Sequence, residues 1–252
     1  MYDLQKASWW KRFSAWLFDA IILVTLATGL AALVSLIVGY DSWLSGYETV
    51  KNEYSEKYGI ELDITEEKFN ALPEEEKDKY DEANKEWSKD PIVGYIYEML
   101  VNLSLIIVSM SLLIAFLLLE FTVPLFFKNG QTLGKKIFGV AVMQTTGVRL
   151  KNVSLFARSI LGKFAVETMI PVYVVILILF GNANLVGLVA AAAVLLTNLI
   201  MPLVTKTRVA LHDGLASTVT VDFASQMIFD SDEALIEYKK RLAAERAEQS
   251  QY

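Results

Sequence analysis

AIILVTLATGLAALVSLIVGY, the stretch from Ala20 to Tyr40, runs for 21 residues without a charged side chain. A helix needs about 20 mostly apolar residues to cross the hydrocarbon core of a bilayer. Secretory signal peptides have a shorter apolar core, of roughly 7–15 residues, and a small-residue cleavage site. No such site follows this stretch, so the sequence predicts a membrane-spanning helix that is retained.

Two further uncharged runs complete a set of four predicted spans. Met99–Leu119 has 21 residues and predicts the second span. Thr168–Thr205 has 38 residues, too many for one span, and is interrupted by Gly181-Asn182-Ala183-Asn184. Since Asn and Gly are typical turn residues, this run predicts a helical hairpin with arms Phe164–Phe180 and Leu185–Thr205. A re-entrant pair of helices is the alternative.

The charges between the spans predict their orientation. Residues 128–163 include seven basic side chains and no acidic one, whereas residues 41–91 include 16 acidic side chains and 7 lysines. Short loops rich in Lys and Arg stay in the cytosol. Threading four spans in order therefore puts both termini and the basic segment in the cytosol of a bacterial plasma membrane, and the acidic segment outside.

The fold class that follows is an all-α polytopic membrane protein with four transmembrane helices and both termini inside. Six segments divide the chain: 1–40 hold the N-terminus and first span, 41–91 an extracytoplasmic acidic helical insert, 92–127 the second span, 128–163 a basic cytosolic loop, 164–205 the third and fourth spans, and 206–252 a cytosolic strand and charged helix.

The acidic insert has the pattern of two or three short helices. Tyr47–Tyr54 is one candidate, Thr65 can cap a second, and Pro73 followed by three glutamates begins a third that runs to about Trp87. The acidic side chains form either a solvated helix face or a surface that attracts cations or docks a membrane or extracytoplasmic protein partner.

The basic loop combines a short helix with strands. Leu133–Phe138 predicts an interfacial amphipathic helix against lipid headgroups. Val140–Gln144 and Val148–Leu150 predict a small cytosolic β-hairpin, to which Thr218–Val221 can add a third strand. The tail, Glu233–Gln249, predicts a charged helix.

Polar side chains within the predicted spans are costly in lipid and usually mark function. At 1.5 Å per residue, Asp19, Glu120 and Asn198 come to similar depths, about 10–12 Å from the cytosolic boundary, with Glu167 shallower. Arg12 and Asp19 share a helix face but lie about 10.5 Å apart, too far for direct pairing.

These side chains predict one polar layer in the inner leaflet, in which acids outnumber Arg12. Clustered carboxylates in a low dielectric tend to hold a proton or a cation, which favours a proton-coupled site for a monovalent cation. The alternative is a buried polar network that only locks the helices together. No cofactor is predicted.

Three stretches carry a resemblance to a known family: WKRFSAWLFD (Trp10–Asp19), GQTLGKKIFGV (Gly130–Val140) and LHDGLASTVTV (Leu211–Val221). With them the chain resembles the RDD family of bacterial membrane proteins, named for an Arg and two Asp, here Arg12, Asp19 and Asp213. The acidic insert departs from the short connection expected of that family.

The resemblance implies a membrane location and two functions, sodium, lithium or potassium/proton antiport, or an accessory subunit of a membrane complex, including one built around a protease. It also draws attention to Asp213, which can meet Arg12 at the cytosolic boundary as a structural clasp between chain ends.

Other classes of function are disfavoured. The chain has no cysteine and a single histidine, which excludes a disulfide framework and a cysteine nucleophile. No nucleotide loop or catalytic spacing occurs, so we expect neither an enzyme nor a nucleic-acid partner. Four spans are few for an enclosed transport path, so a transporter of this size predicts a homo-oligomer.

Overall fold

The structure, a computed structural model, describes residues 4–127, 129–182 and 184–249. Lys128 of the predicted basic loop and Ala183 of the predicted turn lie outside the described residues. Four helices among those described are long and apolar enough to cross a membrane, which confirms the predicted number. These first to fourth spans are Trp9–Val38, Pro91–Phe127, Asn152–Leu179 and Leu185–Val204.

The third span begins twelve residues earlier than predicted. Its helix starts at Asn152 rather than Phe164, so Arg158 and Lys163 lie within a helix and not in a loop. Wide i→i+5 turns occupy its Ala157–Met169 part, and Leu117–Thr122 of the second span has the same geometry. Such π-helical turns inside α-helices are frequent at functional sites.

A tight turn joins the third and fourth spans, as the sequence predicted. Gly181 has a φ of 68°, a left-handed conformation that glycine adopts without steric cost. The Asn184 side chain then caps the fourth span by accepting the Gly187 amide at 2.8 Å. Both arms are therefore separate helices of membrane-spanning length.

The strands pair differently from the predicted hairpin. β1 (Val140–Gln144) pairs antiparallel with β2 (Thr218–Asp222) in a two-stranded sheet. The predicted hairpin partner contributes only an isolated bridge between Met143 and Arg149. The segment expected as a third strand is thus the main partner of β1.

Side-chain packing explains this choice of partner. The buried faces of the two strands share a core cluster of Ala141, Met143, Val219 and Val221. Val148 instead packs in a second cluster with Phe229 and Leu235, where the C-terminal helix Asp232–Gln249 begins. Burial of apolar side chains therefore favours the pairing of β1 with β2, and residues 148–150 form no strand of the sheet beyond the bridge at Arg149.

The chain divides into two compact units, one of residues 31–110 and the other of the residues before and after them. In the first, helices Tyr40–Tyr58, Glu66–Ala71 and Glu74–Trp87 form the acidic insert. The Thr65 side chain caps the second helix, as predicted. The Trp87 ring holds the longer two together, with its centroid 5.4 Å from both Tyr47 and Tyr54.

Short helices and the sheet complete the other unit. Leu133–Ile137 follows the second span, and Leu211–Leu215 follows the fourth. Each leads directly toward one strand of the sheet, because Val140 and Thr218 lie only three residues beyond the two helix ends. The sheet therefore fixes both helices against the ends of the spans.

Candidate functional site

A cavity of about 690 Å³ lies within the unit that contains the sheet. The six side chains that the sequence singled out all line it: Arg12, Asp19, Glu120, Glu167, Asn198 and Asp213. They come from all four spans and from the short helix Leu211–Leu215. The structure therefore brings the predicted polar layer together in one place.

Asp19 is bound by the start of the helix Leu133–Ile137. One carboxylate oxygen accepts the Thr132 hydroxyl, and the other accepts the Gly134 amide at 2.7 Å. A helix N-terminus stabilises negative charge because its first N–H groups have no intrahelical partner. Asp19 therefore does not need Arg12 as a partner, because the backbone N–H of Gly134 already binds its carboxylate.

Gly134 makes this contact possible because it lacks a side chain. A Cβ at this position would lie 2.3 Å from the carbonyl oxygen of Ala15 and 3.0 Å from the Asp19 carboxylate. No real Cβ approaches a carbonyl oxygen so closely, so the first span and this helix can meet here only through glycine.

Glu120 accepts a hydrogen bond from Lys163 at 2.7 Å, and the ammonium of Lys135 lies 4.0 Å from the same oxygen. All three side chains are largely buried, with at most 14% of any one exposed. Glu120 and Lys163 lie on the two π-helical stretches. Sequence reasoning missed both lysines as site residues, because it placed Lys135 on an interfacial helix facing lipid headgroups and Lys163 at the end of the basic loop. Both side chains are instead buried beside Glu120.

Lys135 is the basic residue whose protonation the cavity changes most clearly. Burial, together with the neighbouring charge of Lys163, lowers the pKa of Lys135 to about 7, and Glu120 opposes this only in part. A lysine ordinarily has a pKa near 10.4. Lys135 therefore gains and loses its proton near physiological pH.

Asp213 forms a buried ion pair with Arg158. The carboxylate also accepts the hydroxyl of Thr218 at 2.7 Å, and both charged side chains are at most 4% exposed. Burial by itself raises the pKa of Asp213, but the charge of Arg158, supported by His212, outweighs it and holds that pKa well below its usual range. Asp213 therefore stays ionised and bound.

His212 connects this pair to Glu167. Its backbone N–H donates to the Glu167 carboxylate at 2.8 Å, and its Nδ1 lies 2.9 Å from the same group. Its Nε2 lies 3.1 Å from the Arg158 guanidinium. Asn198 acts as a positioning residue on the fourth span, since its side-chain oxygen Oδ1 accepts the Leu211 amide at 3.3 Å.

Arg12 does not occupy the position that the predicted clasp required. Its guanidinium donates to the carbonyl oxygen of Arg208 at 2.7 Å, while Arg158 is the ion-pair partner of Asp213. Arg12 and Asp213 line the same cavity. The connection between the first span and the segment after the fourth span therefore runs through the Arg208 backbone rather than through a direct Arg12–Asp213 pair.

The charge balance of the cavity differs from the predicted excess of acids. Its four carboxylates, on Asp19, Glu120, Glu167 and Asp213, face five basic side chains. The basic set is Arg12, Lys135, Arg158, Lys163 and Arg208. Each carboxylate already has a partner in the protein, so a small cation can reach one only by displacing that partner.

Comparison with known proteins identifies the chain by family alone. The model of the RDD family matches residues 6–217, which covers all three stretches that carried the resemblance. No curated protein and no solved structure gives a significant match.

Proposed function

This chain belongs to the RDD family, and from that membership and the geometry of the cavity we propose that it exchanges a monovalent cation for a proton across a bacterial plasma membrane. Four apolar helices make it a membrane protein. The proposed orientation has both termini in the cytosol and residues 41–91 outside, because the basic segment 128–163 and the acidic insert carry opposite net charge.

The observation that carries this proposal is the buried cluster of Glu120, Lys163 and Lys135. A cation entering the cluster raises its positive charge, which disfavours a nearby protonated lysine. Lys135, with its pKa of about 7, is the group that releases a proton in response. One proton then leaves Lys135 for each monovalent cation that binds Glu120, so the charge of the cluster is unchanged.

Four spans alone enclose little of a path across the bilayer, so the proposal includes a homo-oligomer. It assigns no catalytic residue, resident cofactor or nucleic-acid partner. The Arg158–Asp213 and His212–Glu167 pairs hold the third span against the short helix that follows the fourth span and take no part in the exchange.

The test is reconstitution of the purified protein into liposomes with a pH gradient and an internal pH-sensitive dye. Addition of sodium, lithium or potassium chloride is expected to dissipate the gradient, whereas choline chloride is not. Glu120→Gln and Lys135→Met are expected to abolish the response because each removes one of the exchanging groups.

Lys136→Met is the matched control for Lys135→Met. Lys136 is adjacent in sequence but exposed, with its ammonium 3.8 Å from the centre of the Phe127 ring. Its variant should keep wild-type exchange. A folded wild-type protein that leaves the gradient intact with all three cations contradicts the proposal, and so does an equal loss in the two lysine variants.

A second candidate, an accessory subunit of a membrane complex, is favoured by the insert. The helices of the insert contact one another through the Trp87 ring. Their acidic side chains point outward, since the Glu74 side chain is 88% exposed and the Glu75 side chain is 83% exposed. Under this function, a partner that co-purifies with the protein from native membranes is lost from Glu75→Gln/Glu82→Gln but kept by Glu245→Gln/Glu248→Gln in the tail. Equal recovery with both variants argues against it.

A further inference from the structure

Two arginines on the wall of the cavity lack an acidic partner. Arg12 donates to the backbone of Arg208, and among the described residues neither guanidinium lies within ion-pair distance of a carboxylate. The four cavity carboxylates are already held by other groups of the protein. Because unpaired guanidinium groups are strong donors to phosphate, this edge of the cavity is suited to an anion.

The wall next to these arginines is apolar and follows the spans. It is formed by Phe13, Trp16, Leu23, Phe116, Pro202 and Leu203. From Arg12 to Leu23 the first span rises about 16 Å at 1.5 Å per residue, which is long enough to accompany much of an acyl chain.

The apolar wall also opens toward the outside of the helices. Trp16 is 59% exposed and Leu203 is 75% exposed, although both lie on helices of membrane-spanning length. In a bilayer, such side chains face lipid. The cavity is therefore accessible from the membrane between the first and fourth spans.

We propose that this opening binds one anionic phospholipid, with its phosphodiester between Arg12 and Arg208 and an acyl chain along the apolar wall. Basic pockets between membrane helices bind anionic headgroups in this way. The excess of one basic side chain around the cavity favours a lipid with net negative charge over a zwitterionic one, whose ammonium group the arginines repel. The site uses neither Glu120, Lys135 nor Lys163, so it is independent of the exchange cluster.

Native mass spectrometry of the full-length protein released from detergent micelles tests the proposal directly. With phosphatidylglycerol and phosphatidylcholine added at equal concentration, the wild type is expected to retain one phosphatidylglycerol in preference. Removal of one charged donor to the phosphate weakens binding about tenfold. Arg208→Gln is expected to show that loss. The Arg208 side chain is exposed, so its replacement should leave the fold intact.

Lys206→Gln is the matched control because Lys206 is exposed, is two residues away and does not line the cavity. It should bind the lipid as the wild type does. Arg12→Lys keeps the charge and should bind the lipid better than Arg12→Gln. The thermal midpoint of each variant is measured as well, to show that both are folded.

Four results would overturn the proposal. One is equal retention of the two lipids by the wild type, and another is equal binding by Arg208→Gln and Lys206→Gln. The third is thermal stabilisation by glycerol 3-phosphate as large as that by phosphatidylglycerol, which would make the site one for a free phosphate. The fourth is a lipid-free dimer that covers Trp16 and Leu203.

Discussion

At the scale of single residues, Gly134 is the described glycine at which an added Cβ would make the closest contact. An added Cβ would meet the Ala15 carbonyl oxygen at 2.3 Å, so Gly134→Ala must move either the first span or the short helix that binds Asp19. Overpacking of this kind costs about 1–3 kcal/mol of unfolding free energy. We expect a lower thermal midpoint in detergent, followed by intrinsic fluorescence.

Gly29→Ala, on the first span, is the control. A Cβ there meets nothing within 4 Å, and alanine favours helix over glycine by up to about 1 kcal/mol. Its thermal midpoint should equal or exceed that of the wild type. Equal midpoints for Gly29→Ala and Gly134→Ala would mean that the first span and the short helix do not meet as described.

His212 makes the stability of the site depend on pH. Burial lowers the pKa of His212, and Arg158 and Lys163 add to this effect against the opposing charges of Asp213 and Glu167. An unfolded histidine has a pKa of about 6.5. Below that pH the unfolded chain takes up a proton that the folded protein resists, so stability is lost as the pH falls until it passes the lower folded-state pKa.

The thermal midpoint of the wild type is therefore expected to decrease between about pH 7.5 and pH 5.5. His212→Gln should show a smaller decrease over this range, whatever its midpoint at pH 7.5. Since the chain has one histidine, the difference between the two slopes isolates this group. Parallel slopes would refute the assignment.

The sequence could identify these site residues but not their partners. Asp19, Glu120 and Asn198 stand out because each is polar within an apolar run, and depth along a helix follows from residue count alone. Arg158 and Lys163 do not stand out, because in sequence they look like loop charges next to a span. Only the fold places Arg158 beside Asp213, 55 residues away along the chain.

At the scale of the elements, the register of the sheet can be checked covalently. Thr145 donates its N–H to the Ser217 carbonyl oxygen, which marks a hydrogen-bonded pair at that end of the ladder. Pairs alternate in an antiparallel ladder, so Val142 and Thr220 form a non-hydrogen-bonded pair, with Cα atoms about 4.5 Å apart. That separation is within the range of a disulfide.

Val142→Cys combined with Thr220→Cys is therefore expected to oxidise to one intramolecular disulfide, counted by thiol alkylation and mass spectrometry. The chain has no cysteine of its own to interfere. Val142→Cys with Val219→Cys is the control, because neighbouring residues on a strand point to opposite faces. Efficient bridging of the control pair would contradict the observed register.

The elements that the sequence mispredicted share one cause. A span was expected to begin where charge ends, which is correct for a helix surrounded by lipid. The third span departs from this rule because its first turns face protein, where Arg158 and Lys163 find carboxylates. Likewise, local turn signals predicted a hairpin at Thr145–Gly147, but apolar packing of β1 against β2 decides the pairing.

At the scale of the whole molecule, the number of spans and their predicted orientation rest on different physics. Span number follows from the length of apolar runs, which the structure reproduces as four helices. Orientation follows from where basic side chains lie relative to those helices. A pair of single-cysteine variants separates the two, since the wild type has no cysteine to label.

Glu75→Cys places a thiol on the insert, and Glu245→Cys places one on the C-terminal helix, and both positions are exposed. With residues 41–91 outside and the C-terminus in the cytosol, a membrane-impermeant maleimide should label Glu75→Cys in intact spheroplasts. The same reagent should reach Glu245→Cys only after permeabilisation, because the three spans between the two positions put the tail on the side opposite the insert. The reverse pattern would invert the orientation, and labelling of both thiols in intact spheroplasts would require an even number of crossings between them. Either result would also remove the cytosolic assignment of the Arg12 and Arg208 end of the cavity.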